Sequence, residues 1–156
     1  MVVGVAVAGS EMKVSSKSRY ALMALVELDL RTRGTGKPVR LTDLARERGI
    51  PEQFLEQLFA GLRRAGLLTG RRGVGGGFTF ARRPDQLSVL DVVEALDGAL
   101  DADWGLAAWG VEERAAAGAV WLAAGEAYQG VLARTTVNDL AERERLQGAG
   151  GPVYEI

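Results

Sequence analysis

The stretch that most restricts the fold of this chain is residues 50–80, IPEQFLEQLFAGLRRAGLLTGRRGVGGGFTF. Phe54, Leu55, Leu58, Phe59 and Leu62 recur at helical spacing and form one apolar stripe, so this segment predicts an amphipathic helix with its stripe buried. Pro51 fits the first helical turn, where its missing N–H is not needed, and Glu52 complements the helix dipole there. The opposite face offers Gln53, Glu56, Gln57, Ala60, Arg63 and Arg64. Gly66 stops the helix, and the pattern then changes: Leu67 to Thr69 predicts one strand, Phe78 to Phe80 its partner, and Gly70 to Gly77 a long flexible tip bearing Arg71 and Arg72.

On the amino-terminal side, Thr42 is expected to cap a short helix over Asp43–Arg48, with Leu44 and Ala45 facing inward and Gly49 ending it in a left-handed conformation. Two helices joined by so tight a glycine turn, followed by a hairpin, give the order of a winged helix-turn-helix. Ser15 and Ser16 can cap an earlier helix whose broad apolar face runs through Tyr20, Leu22, Met23, Leu25, Val26 and Leu28 to about Arg33. Gly34, Gly36 and Pro38 break it, leaving Arg31 to Arg40 as a basic connection between helices.

Beyond the hairpin, Arg82, Arg83 and Pro84 close the basic part, and Ser88 caps a helix over Val89–Leu96 that ends at Gly98. Residues Asp97 to Val111 read as an irregular acidic connector with two tryptophans. From about Glu112 to Ala133 the pattern becomes one alanine-rich helix, without a charge between Arg114 and Glu126. A helix apolar nearly all round needs cover on more than one side. Pairing with the same helix of a second subunit supplies it, and a central core position is the other solution. Thr135 to Gln147 predicts a last short charged helix and Gly148 to Pro152 the start of a loose tail.

The expected fold is therefore mainly α with a small β-hairpin wing: a winged helix-turn-helix domain plus a long C-terminal dimerisation helix. Its parts are an N-terminal extension over 1–11, expected to be disordered, the winged domain over 12–98, a connector over 99–111, the dimerisation and short C-terminal helices over 112–147, and a tail over 148–156. The extension MVVGVAVAGSE does not fit a secretory signal, because its apolar run is short and no Lys or Arg precedes it. Met12 is a candidate translation start. No other stretch is long and apolar enough to span a bilayer, so no membrane association is expected.

Composition narrows the chemistry. The chain has no Cys and no His, so thiolate or imidazole metal sites, disulfides and Cys or His catalysis are excluded within it. The formal charge of −1 hides a division: residues 12–83 carry 15 Lys and Arg against 6 Asp and Glu, and residues 84–156 carry 4 against 13. A basic front and an acidic back point to a polyanion partner for the front. Gly75-Gly76-Gly77 is not a nucleotide cradle, because a P-loop needs Gly-Lys-Ser/Thr opening a helix and these glycines lead into the strand-like Phe78-Thr79-Phe80. Glycines beside paired arginines instead let a loop tip approach a nucleic-acid backbone, with Arg placed to enter a narrow minor groove. The carboxylates and lysines show no distinctive spacing for acid–base work, so the chain is not read as an enzyme.

The segments MKVSSKSRYALMAL, LTDLARERGIPEQFLEQLFAGLRRAGLL, RRGVGGGF and SVLDVVEAL together resemble the bacterial Rrf-two type winged-helix regulators, from Met12 to about Leu140. The resemblance implies a DNA-binding transcriptional regulator, a repressor, acting in the cytoplasm as a homodimer on double-stranded palindromic DNA. By the same resemblance Glu56 and Gln57 match helix positions that face bases, Arg72 and Gly73 the wing's Arg-Gly, and Gly75, Gly76 and Gly77 its glycines. Lys17, Arg19 and Tyr20 match a Lys-x-Arg-Tyr near the start of the first helix, where backbone contact or packing is expected. Without Tyr20, and with Gln53, Arg63, Arg64 and Arg71, these make up the expected DNA-binding set. Many relatives hold an iron–sulfur cluster with three cysteines, whose places fall near Asp103, Trp109 and Ala115. A chain without Cys or His cannot bind it in that manner, so no cofactor is expected. Asp101, Asp103, Trp104 and Trp109 form a candidate pocket for a small-molecule effector, or a surface for a regulatory protein, and packing beside the long helix is the plainer role of the tryptophans. The alternative function is a winged-helix module for protein–protein interaction, controlled by a partner protein, which would bind DNA weakly and without sequence preference.

Overall fold

The computed structural model of the protein describes residues 15–100, 110 and 117–150. Their elements run α1 (Ser16–Thr32), α2 (Leu41–Arg48), α3 (Glu52–Arg64), β1 (Leu68–Arg71), β2 (Gly77–Phe80), α4 (Val89–Asp97), α5 (Ala119–Arg134) and α6 (Val137–Gly150). The strands form an antiparallel hairpin with Leu68 opposite Phe80 and Arg71 opposite Gly77. The expected architecture of helices plus a hairpin wing holds.

One core organises α1 to α4 and the hairpin. Ala21, Ala24, Leu25 and Leu28 of α1, Leu44 of α2, Leu55, Leu58, Phe59 and Leu62 of α3, Leu68 of β1 and Val92 of α4 are all buried in it. Rings fasten the helices and the wing to each other: Tyr20 meets Phe54 edge-on at 5.7 Å, and Phe59 meets Phe78 at 5.1 Å. Edge-to-face pairs of this kind add about 0.5–1.5 kcal/mol beyond the area they bury. Met23, expected on the inner face of α1, is exposed, and Ala21 and Ala24 fill the inner positions instead. Small residues there let α1 lie close to its neighbours.

The helix ends depart from the sequence reading in ways local chemistry explains. Ser15 caps α1 by accepting from the Ser18 N–H at 3.1 Å, and its hydroxyl and that of Ser18 donate to Asp97 at the end of α4. Asp97, read as part of an acidic connector, is thus the last residue of α4 and places a carboxylate at the positive end of α1. Helix α2 begins at Leu41 with Arg40 as its cap residue, not at Asp43 with Thr42 as cap. The chain enters α2 early because Val39 is pinned to Phe78 by two backbone hydrogen bonds, of 2.8 and 3.0 Å. Gly49 closes α2 at φ 61°, as expected of a left-handed cap. Pro51 stands just outside α3 as its cap residue rather than inside the first turn.

The carboxy-terminal helices differ in role. Thr136 and Asp139 cap α6 reciprocally, the Thr136 N–H donating to Asp139 at 2.9 Å and the Asp139 N–H to the Thr136 hydroxyl at 3.1 Å. Helix α6 extends to Gly150, so Gly148 belongs to it and not to a loose tail. It packs on α1 and adds Val137 and Ala141 to the buried interior. Hydrogen bonds from Val89 to the Thr135 carbonyl and from Val137 to the Leu87 carbonyl stitch its start to the segment before α4. Among the described elements helix α5 packs chiefly on α4, and it leaves Val120, Trp121, Leu122 and Val131 exposed.

Acidic residues of α6 reach back to the basic front. Arg33 donates to Asp29 at 2.8 Å, to Asn138 at 3.0 Å and to Glu142, and Arg48 bridges Glu27 and Glu144. The Arg33 hydrogen bond, then that of Arg145, holds the Glu142 carboxyl below its ordinary value. A carboxyl depressed in this way adds stability at neutral pH that is lost as the pH falls through its folded value. Glu142→Gln is therefore expected to lower thermal stability at pH 7 and to narrow its difference from wild type on acidification towards about pH 4, as read by melting curves. An unchanged difference across that range contradicts the assignment.

Candidate nucleic-acid interface

The interior of α3 dictates its outer face. With Leu55, Leu58, Phe59 and Leu62 buried, the residues one step around the helix, Gln53, Glu56, Gln57, Arg63 and Arg64, stand exposed. These are amide, carboxylate and guanidinium groups, which can donate to and accept from base edges and phosphates. The Arg63 side chain leans towards the wing: a side-chain carbon added at Gly70 of β1 would stand 3.5 Å from its guanidinium.

The wing is better fastened than a flexible tip would be. Arg71, expected on the tip, lies on β1 opposite Gly77, so the turn is only Arg72 to Gly76. Arg72, Gly73, Val74 and Gly75 are exposed, whereas Gly76 is buried and Gly77 is half-buried. Both departures have one cause, close backbone packing. A Cβ at Gly76 would stand 2.3 Å from the Arg71 carbonyl oxygen, and one at Gly77, whose φ is 146°, would stand 2.3 Å from that of Val39. These two glycines shape and dock the wing, leaving Arg72, Gly73, Val74 and Gly75 as the outward surface.

Pairing within the molecule sorts the basic residues. Arg31, Arg33, Arg46, Arg48, Arg82 and Arg83 are engaged by carboxylates. Lys17, Arg19, Lys37, Arg40, Arg63, Arg64, Arg71 and Arg72 make no ion pair with any described residue and are exposed. The excess positive charge of the front half is thus concentrated on the start of α1, the α1–α2 connection, the end of α3 and the wing. Lys37 and Arg40 are exposed cations outside the expected DNA-binding set. Their signal was present, since the 31–40 segment is basic, but it read as a plain connection between helices. Lys17 and Arg19 stand just before Tyr20, which packs on Phe54, so their end of α1 lies beside the first half of α3. Asp101, Asp103, Trp104 and Trp109 lie outside the described residues.

Residues 14–143 match the family Rrf2, described as iron-dependent transcriptional regulator. The chain is 43% identical over 91 residues to the HTH-type transcriptional regulator IscR of Aliivibrio salmonicida (strain LFI1238), an alignment covering 58% of this chain and 53% of that protein. It thus spans about half the length of that relative. With the HTH-type transcriptional regulator CymR of Bacillus subtilis (strain 168) the identity is 35% over 130 residues, covering 83% of this chain and 90% of the relative. The solved structure of CymR, the global cysteine regulator of B. subtilis, superposes with a TM-score of 0.74 at 32% identity, covering 85% of this chain and 98% of the other. The word iron in the family's description does not fit the donor set here. The chain has no Cys or His to hold a cluster, and no three carboxylates gather at metal-binding distance among the described residues. No described helix is long and apolar enough to cross a membrane. The exposed polar face of α3, the docked wing and a match over 14–143 agree: this chain belongs to the Rrf2 family of transcriptional regulators, as a member without cysteine.

Proposed function

We propose that the protein is a sequence-specific DNA-binding repressor that acts in the cytoplasm as a homodimer on a palindromic operator, without an iron–sulfur cluster. One observation carries this reading: the cations that no described carboxylate pairs cluster around the exposed polar face of α3 and the wing. Arginines and lysines there displace counterions from phosphates, so affinity falls with salt by about 0.9 log units per log unit of salt for each phosphate neutralised. Gln53, Glu56 and Gln57 read base edges, where a good bidentate contact discriminates by about 1–3 kcal/mol.

Dimerisation is supported by α5. Val120 at 67% exposure, Trp121 at 46%, Leu122 at 45% and Val131 at 54% stand on a helix whose remaining surface is largely Ala and Gly. A second copy of α5 would cover them, and the small residues permit close approach of the two backbones. Regulation then acts through the connector, residues 99–111, by a small molecule or a partner protein in place of a cluster.

The roles within the site separate by mutation. Glu56 accepts hydrogen bonds only and is repelled by phosphate, so it selects bases more than it adds affinity. Glu56→Ala is expected to relax base preference with little loss of overall affinity, and Arg72→Ala to weaken binding on all sequences, in gel-shift titrations against a panel of operator variants. Unchanged sequence preference in the Glu56 variant would sink its assigned role. Weak binding without sequence preference in the wild-type protein would favour a protein-interaction module.

A further inference from the structure

A groove runs between the α1–α2 connection and the wing, with a cavity volume of about 430 Å³, lined by Arg31, Lys37, Val39, Arg40, Asp43 and the Gly75-Gly76 turn among others. Its charged groups divide cleanly. Arg31 is held by Glu27 and Glu47, and Asp43 by Arg46 at 2.8 Å. Lys37 and Arg40 are exposed and have no carboxylate partner among the described residues. Two cations without a described carboxylate partner therefore face a trough whose other charged side chains are already neutralised.

The trough is rigidly joined to the wing. Val39 exchanges two backbone hydrogen bonds with Phe78 and lies between Lys37 and Arg40, while Gly77 packs against the Val39 carbonyl too closely to admit a Cβ. Wherever the wing settles on a duplex, Lys37 and Arg40 are carried to a fixed offset from it. Arg40 also occupies the cap position of α2 and makes no capping hydrogen bond, so its charge adds to the positive end of that helix instead of offsetting it. A cation there is unfavourable for the isolated protein and is relieved by an anion.

We propose that this groove seats a phosphodiester of the DNA backbone, gripped by Lys37 and Arg40, beside the bases read by α3 and the wing. The proposal rests on the DNA-binding reading above and adds two positioning residues to it. Both act on the sugar–phosphate chain and carry no base preference. Phosphate is the shared chemistry of two sources, a DNA strand and a free anion, and the groove's attachment to the wing favours the strand.

The test measures the operator Kd against salt concentration for the wild type, for Lys37→Ala/Arg40→Ala and for Lys37→Arg/Arg40→Lys, with inorganic phosphate titrated in a parallel calorimetric arm. Both residues are exposed, and matching melting curves check that the variants fold. The double alanine variant is expected to lower the salt slope by about 0.9, the share of one phosphate, so that its affinity deficit shrinks about three- to fourfold between 50 and 200 mM salt, with base preference unchanged. The charge-conserving variant restores the slope, and inorganic phosphate does not bind in the millimolar range. Operator binding by the wild type with an unaltered slope in the alanine variant overturns the groove proposal alone. Phosphate binding that is lost in that variant, with the slope unaltered, assigns the groove to a free anion and also overturns it. A wild-type protein that binds no DNA overturns this proposal and the DNA-binding reading together.

Discussion

Gly77→Ala is expected to unfasten the wing and reduce operator affinity by at least about tenfold. The added Cβ would stand 2.3 Å from the Val39 carbonyl oxygen, 2.5 Å from its carbon and 2.9 Å from the Arg40 nitrogen. All three are backbone atoms, so no side chain can swing away to make room. Relief comes only by parting Val39 from Phe78, which breaks hydrogen bonds of 2.8 and 3.0 Å, and a φ of 146° is itself strained for alanine. Lost pairing plus strain costs on the order of 2–4 kcal/mol. Chemical denaturation reads the stability and anisotropy titration reads the affinity. Gly75→Ala is the control, because its Cβ meets nothing within 4 Å although φ is 74° there. It suffers the conformational penalty without the backbone collision, so an equal loss of stability in the two variants would contradict the docking account.

Phe59→Ala is expected to cost about 3–5 kcal/mol of stability, the largest loss from any core substitution considered. Phe59 is fully buried, and its ring stands 5.1 Å from that of Phe78 at an interplanar angle of 82°. The truncation removes a large apolar group and the aromatic pair that joins α3 to β2. Phe59→Leu retains most of the volume and should lose less than half as much. Urea unfolding of both variants measures the difference, and a near-equal cost would contradict this ranking, because it would make the ring contact with the wing, and not the buried volume that Leu retains, what the side chain supplies.

Much of this was legible in residues 50–80. The apolar stripe of α3 fixes which side is buried, and by subtraction it exposes Gln53, Glu56, Gln57, Arg63 and Arg64. Glycine and serine marked Gly49 and Ser88 correctly because those signals are local: a left-handed residue and a hydroxyl accepting from the N–H three residues on. What failed to show was what depends on distant partners. Arg33 and Glu142 are 109 residues apart in sequence, and Arg48 and Glu144 are 96 apart. Counting charges by halves therefore treated arginines already neutralised by α6 as available to a polyanion. Val39 moved the start of α2 for the same reason, since its partner Phe78 lies across the fold. Lys37 and Arg40 become prominent only once their neighbours Arg31 and Arg46 are seen to be paired.

On the proposed reading, two copies of the exposed α3 face, each with its docked wing, read two halves of one DNA site. Selection from a randomised duplex library, with the stoichiometry of the selected complex measured by analytical ultracentrifugation, tests it most directly. The account predicts enrichment of a palindrome bound by two chains, with the Glu56→Ala protein losing preference at symmetry-related positions in both halves. Recovery of no preferred sequence, or of a single unrepeated half-site bound by one chain, would contradict it.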